Sequence, residues 1–267
     1  NAVYIAQSRL ASRVLLATVS SANGYDNGSA PSPTPTPAGL AGELVIWDVG
    51  LGAGSNAMAA IACFETAVER QGASALRPLR IVSFECDLDP LILAASKSGR
   101  FPHLQHGAPH ELLRAGRWTH ASGLLTWELV HGDFLAHFET APAPDVIFYD
   151  PFSAKTDTAL WTPAVFARLF DRCRPKPVEL FTYSASTAVR VALLTAGFFV
   201  AEGVGTGPKA ATTVAFTAPN PDCTHPPLAA QLLGAAWLAR WRRSQSRFPT
   251  ALPATEHAAF AARLEAH

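Results

Sequence analysis

The segment DVGLGAGSN, running from Asp48 to Asn56, constrains the chain more than any other stretch. It closes a short apolar run at 44–49, which reads as a strand, and opens a helical pattern at 56–71. Glycine at every second position permits backbone conformations closed to other residues and lets a ligand approach the main chain. In doubly wound α/β sheets, a turn of this kind at the carboxyl end of a strand is where ligands bind. The spacing is GxGxG rather than the GxGxxG of dinucleotide folds, and no GK[ST] follows to grip a triphosphate. A ligand whose nearest portion carries no phosphate fits better. S-adenosyl-L-methionine is therefore the expected cofactor, with Asp48, Gly50, Gly52 and Gly54 as candidates to hold it.

The remaining pattern supports an α/β sheet. Short apolar runs at 80–85, 124–130, 146–149 and 179–183 read as strands, and helical periodicity recurs at 90–98, 163–173 and 186–196. The runs 198–204 and 211–216, separated by GTGPK, read as a terminal hairpin. The expectation is a Rossmann-like, class I methyltransferase fold: a seven-stranded, mostly parallel sheet with helices on both faces and an antiparallel edge. The stretch 101–123 reads as an irregular insertion with a short helix at 110–115. Around this core, 1–19 reads as an N-terminal helix and 20–42 as a Pro/Ser/Gly-rich linker or loop. The core domain then spans 43–217, followed by a helical extension over 218–267 with helices at 228–243 and 255–267.

Strand ends supply the other candidate residues. Glu85 ends the second strand 31 residues after Gly54, where a carboxylate can accept both ribose hydroxyls. The neighbouring Asp87 and Asp89 compete with it, although DLDP also reads as a turn and helix N-cap in which one of them serves only that purpose. In HGDF, Asp133 is placed to accept the adenine amino hydrogens and Phe134 to cover the ring. The strand at 146–149 leads into Asp150-Pro151-Phe152-Ser153, a variant of the Asp/Asn-Pro-Pro-aromatic turn found in amino-group methyltransferases. An alkylamine with a pKa near that of Lys, about 10.4, is protonated at neutral pH and has no lone pair for attack. Asp150 is accordingly the candidate catalytic carboxylate, orienting the amine and taking up its proton. Phe152, Lys155 and Lys209 are candidate substrate contacts, the lysines through phosphate.

Charge and cysteines narrow the partners. Lys+Arg and Asp+Glu both number 21, so no broad basic face for nucleic acid is expected and any such contact must be local. The tail segment WLARWRRSQSR, with Trp237 and Trp241 among arginines, reads either as a stacking and phosphate-binding element or as tryptophans packed on the domain beneath solvated charges. The four cysteines show no CxxC spacing, which points to a reducing, cytoplasmic setting. His106 and His110 stand four apart without a third ligand nearby, so no metal is expected. No apolar run is long enough for a membrane span.

In this order, DVGLGAGSN, SFE, HGDF, DPFSAKTDTALW, FTYSAS and GVGTGPK resemble the MnmC-like methyltransferase family over roughly 44–216. The resemblance implies methyl transfer from S-adenosyl-L-methionine to the terminal amine of an aminomethyl group at the wobble uridine of tRNA. Tranferred position by position, it implies Gly50, Gly52, Gly54, Asn56 and Glu85 for the cofactor, Asp133 near adenine and Asp150 facing the amine. Bifunctional members add a flavin-dependent oxidase domain, for which this chain has no length, so the oxidase activity is expected to be lacking. Alternatives in other classes are a small-molecule amine or another nucleobase amino group as acceptor, an aminopropyl transferase, and a binding module without turnover.

Overall fold

A computed structural model of the protein describes residues 2–16, 42–152, 158–206, 209–218, 232–245, 247–249 and 251–266. Lys155 and nearly all of the expected linker at 20–42 lie outside these residues.

The strands are β1 (Leu44–Val49), β2 (Leu79–Glu85), β3 (Arg117–Thr119), β4 (Leu125–His131), β5 (Val146–Tyr149), β6 (Glu179–Thr182), β7 (Phe199–Thr206) and β8 (Lys209–Phe216). They form one sheet in the order β3-β4-β2-β1-β5-β6-β8-β7. The run from β4 to β6 is parallel, while β8 lies antiparallel to both β6 and β7. Among the described residues the sheet thus has eight strands rather than the expected seven, because β3 adds an antiparallel edge to β4. It arises inside the stretch expected to be irregular. Helix α5 (Gly107–Ala115) ends on Gly116 at φ 70, which reverses the chain and lays Trp118 opposite Trp127. Three residues are too few to show a strand period.

Alternation along β1 distributes the core between the two faces. Leu44 and Ile46 pack with α3 (Ser55–Gln71) and the N-terminal segment, whereas Val45, Trp47 and Val49 pack under α6 (Phe134–His137), α7 (Pro163–Cys173) and α8 (Thr187–Ala196). Every residue of β1 is buried, as a central parallel strand covered on both faces requires. Helix α4 (Asp89–Ala95) completes the first crossover group.

The N-terminal segment departs from the single helix expected. It breaks into α1 (Ala2–Gln7) and α2 (Leu10–Arg13) at Arg9, whose φ of 52 is left-handed. The break lets Tyr4, Leu10 and Val14 all reach the core while Arg9 and Arg13 both pair with the buried Glu179. At the other end, α9 (Ala235–Arg242) and α10 (His257–Ala266) bury Trp241, Phe260 and Leu264 in the second core cluster. Of the helix expected from 228, residues 228–231 lie outside the described residues; α9 begins at Ala235, and Leu232 ahead of it bridges Ala201.

Candidate active site

Chain connections leave β1 and β5 in opposite directions, one toward β2 and β4 and the other toward β6, which opens a crevice at their carboxyl ends. Gly50 and Asp150 meet there, backbone against backbone. Gly50 has φ 84, and a Cβ on it would lie 2.4 Å from the Asp150 carbonyl oxygen and 2.7 Å from Pro151 Cα. Only glycine fits such an approach. Beside this contact lies a cleft of about 350 Å³ whose walls include Gly50, Gly52, Glu85, Asp133, Phe134, Asp150 and Phe152. The volume falls in the range of small-ligand sites, about 300–1,000 Å³.

Glu85 is firmly anchored on the cleft wall. Its Oε1 accepts the N–H groups of Cys86 at 2.9 Å and Asp87 at 3.1 Å, and its Oε2 accepts Gly52 N–H at 3.1 Å. Oε1 also takes the weak Cys86 Sγ–H donor at 3.8 Å, whereas Oε2 accepts Gly52 N–H and, having two lone pairs, keeps a position for a ligand hydroxyl. Asp87 accepts Asp89 N–H at the start of α4, the turn role anticipated for it. Asp133 caps α6 by accepting Leu135 N–H at 2.9 Å and still lines the cleft. Phe134 lines it too, although most of its ring is packed edge-on against Phe84 and Trp47.

Asp48 and Gly54 are not part of the cleft wall. Gly54 precedes α3 at φ 75 and faces Leu91 and Trp127. Asp48 is fully buried below the loop, where its Oδ2 accepts Ser83 Oγ–H at 2.8 Å, and Ser83 in turn accepts Trp127 Nε1–H at 2.8 Å. Burial pushes the Asp48 carboxyl up to about 7, with the Asp150 and Glu85 charges adding and bonds from Ser83 and Asn56 opposing. Glu85 and Asp150 thus stand on the cleft wall above a third carboxyl, Asp48, that holds its proton to near neutral pH. Asn56, buried at the start of α3, donates its amide to Asp150 Oδ2 at 3.2 Å, which places it behind Asp150 rather than in the cleft wall.

Asp150 is held by three elements. Besides Asn56, its Oδ1 accepts Tyr4 Oη–H at 2.8 Å and Tyr183 N–H at 3.2 Å. Burial, and then the Asp150 charge, push the Tyr183 phenol up to about 12 and hold that of Tyr4 above the phenol range. The turn that follows is clamped from behind: Trp161 Nε1–H donates to Phe152 carbonyl oxygen at 2.8 Å, and Tyr149 Oη–H to the Leu160 carbonyl at 2.5 Å. Phe152 itself is 55% exposed at the rim. Sequence reasoning missed Tyr4 and Tyr183 as neighbours of Asp150. Nothing local could reveal Tyr4, which lies 146 residues from its partner. Trp161 carried a signal, since it ends the DPFS-to-tryptophan segment.

Other candidates fall elsewhere. Lys209 begins β8, its side chain outside what is described, as is all of Lys155. In the tail, Trp241 is buried with Nε1–H bonded to the Arg247 carbonyl, Arg242 pairs with Glu265, and Arg247 lies over Phe248. This matches the packed reading of that segment. His106 caps α5 through Ala108 N–H and faces Glu65, and His110 bonds the Leu104 carbonyl. Among the described residues, no helix is long and apolar enough to cross a membrane.

Residues 100–218 match a family described as S-adenosyl-L-methionine-dependent methyltransferase. The "tRNA 5-methylaminomethyl-2-thiouridine biosynthesis bifunctional protein MnmC" of Chromobacterium violaceum is 29% identical over 209 residues, 75% of this chain and 29% of that protein. Its Pseudomonas putida namesake is 35% identical over 94 residues, 35% of this chain and 14% of that protein. The chain therefore spans less than a third of the length of these curated relatives. The crystal structure of MnmC2 from Aquifex aeolicus shares the fold, with a TM-score of 0.56 and 23% identity over 84% of this chain and 66% of that one.

Proposed function

We infer that this chain, an S-adenosyl-L-methionine-dependent methyltransferase related to the methyltransferase domain of MnmC proteins, methylates the terminal amine of an aminomethyl group on a wobble uridine of tRNA. The observation that carries the reading is Asp150: a carboxylate fixed from three sides, on the wall of the cleft, where the turn after β5 abuts the glycine loop.

When bound, the cofactor supplies an electrophilic methyl group on a sulfonium. The residues present fit it. Glu85, with acceptor capacity left on Oε2, would take a ribose hydroxyl, Asp133 and Phe134 would border adenine, and Gly50 and Gly52 line the same cleft without side chains. The carboxylates of Glu85 and Asp150 on the cleft wall attract both a sulfonium and an alkylammonium acceptor. Asp150 accepts a hydrogen bond from the ammonium and takes up one of its protons, directly or through water, which frees the nitrogen lone pair and holds the neutral amine in place for attack. General-base help of this kind contributes roughly 10²-fold, and positioning adds to it. The exposed ring of Phe152 gives the uracil a face to stack on, and Lys155 and Lys209 are assigned to nearby phosphates. A tRNA substrate places the reaction in the cytoplasm.

The test is nucleoside mass spectrometry of tRNA bearing the unmethylated aminomethyl-uridine, incubated with labelled S-adenosyl-L-methionine. Label is expected on that nucleoside with the native chain and lost with Asp150→Ala, which keeps its cofactor affinity; Glu85→Ala weakens that affinity first. Cofactor binding without label on tRNA would refute the acceptor, and label on a free alkylamine would move the assignment to a small-molecule substrate.

A further inference from the structure

We propose that Tyr4 is a positioning residue for Asp150, which makes the N-terminal helix a working part of the site rather than a cover on the sheet. This inference rests on the role given to Asp150 above. Tyr4 is 1% exposed and does not line the cleft, so it acts only through its partner. Its Oη–H donates to Asp150 Oδ1 at 2.8 Å, and its ring is wedged between Phe148, with centroids 5.3 Å apart, and Tyr183, at 4.5 Å.

The physical need for such a residue follows from the carboxylate. The terminal torsion of an aspartate is broad, so its plane must be set by bonds to its oxygens. At Asp150 these come from α1, from α3 through Asn56, and from the turn after β6 through Tyr183 N–H. Two donors on Oδ1 and one on Oδ2 resist rotation from opposite sides. Burial and the Asp150 charge keep the Tyr4 phenol protonated, so it remains a donor throughout the working pH range.

Helix α1 is too short to be stable alone and is placed by tertiary contacts. Gln7 Oε1 accepts Val204 N–H at 3.0 Å, and beyond the break Arg9 and Arg13 pair with Glu179 on β6. These contacts fix the depth at which Tyr4 meets Asp150. Accuracy at the site is thereby made to depend on a segment distant in sequence from the glycine loop and the DPFS turn.

Tyr4→Phe keeps the ring and removes only the hydroxyl. It should be compared with Asp150→Asn and the double variant, using labelled methyl transfer to aminomethyl-uridine tRNA, calorimetry of S-adenosyl-L-methionine, and thermal melting. Tyr4→Phe is expected to lower kcat roughly tenfold, the effect of one charge-assisted hydrogen bond, with the KM for tRNA and the cofactor Kd both within about twofold. The double variant should be no slower than Asp150→Asn. An inactive Asp150→Asn beside a Tyr4→Phe with native kcat would overturn the Tyr4 inference alone. Native activity in Asp150→Asn would remove the role of Asp150 and this inference with it. Loss of cooperative melting or of cofactor affinity in Tyr4→Phe would assign the hydroxyl to the fold, and multiplicative losses in the double variant would show the two residues to be independent.

Discussion

Gly50→Ala tests the junction on which the site is built. The added Cβ would stand 2.4 Å from the Asp150 carbonyl oxygen and 2.7 Å from both Asp150 C and Pro151 Cα. All three are backbone atoms, so no side chain can swing aside. Reaching the 3.4 Å of ordinary contact requires the glycine loop and the turn after β5 to part by about 1 Å. A left-handed φ at a non-glycine residue adds about 1–2 kcal/mol. Together these give a destabilisation of roughly 2–4 kcal/mol, or a fall in melting temperature of roughly 5–15 °C. Because the same displacement parts the glycine loop from the Asp150 turn, turnover is expected to fall by roughly 10²-fold. Gly52→Ala is the matched control, since its φ of 51 is also left-handed but nothing lies within 4 Å of its Cβ. It should lose only the conformational part. Melting curves and single-turnover methyl transfer on both variants decide the matter. Equal melting shifts, or a Gly50→Ala enzyme with native turnover, would refute the reasoning.

Two further perturbations read other parts of the site. The Asp48 carboxyl is raised from 3.8 to about 7, so the folded state binds its proton more tightly than the unfolded chain. Stability should therefore decline as pH rises between about 4 and 7 by an amount on the order of 4 kcal/mol and level off above, whereas Asp48→Asn should flatten that slope; parallel slopes in urea titrations at pH 5 and pH 8 would exclude it. Trp161→Phe removes the donor to the Phe152 carbonyl, and freeing the turn should raise the KM for the acceptor several-fold, as loss of about 1 kcal/mol of positioning implies, with cofactor Kd unchanged. An unchanged KM would show that the turn holds itself.

Legibility followed the range of the interactions. The parallel strands and α3, α7 and α8 were readable because each carries its own period and lies between turn residues. Boundaries shifted by a residue or a few where caps decide them, as at α4, expected over 90–98 and formed by Asp89–Ala95. Strand β3 and the break at Arg9 were not readable. Each is enforced from outside its own segment, β3 by the edge of β4 and Arg9 by the burial of Glu179.

The same division holds at the site. From the sequence alone came the residues at the carboxyl ends of the strands, Gly50, Gly52, Glu85, Asp133 and Asp150, because position after a strand already implies position at the ligand edge of a doubly wound sheet. Tertiary structure alone decided what surrounds them. It put Asp48 beneath the loop instead of in the cleft, gave Asn56 to Asp150, and brought Tyr4 across the face of the sheet to the same carboxylate. Hydrogen bonds and buried charges depend on distance in space, and a strand order that reverses between β1 and β5 brings together groups that no local pattern can pair.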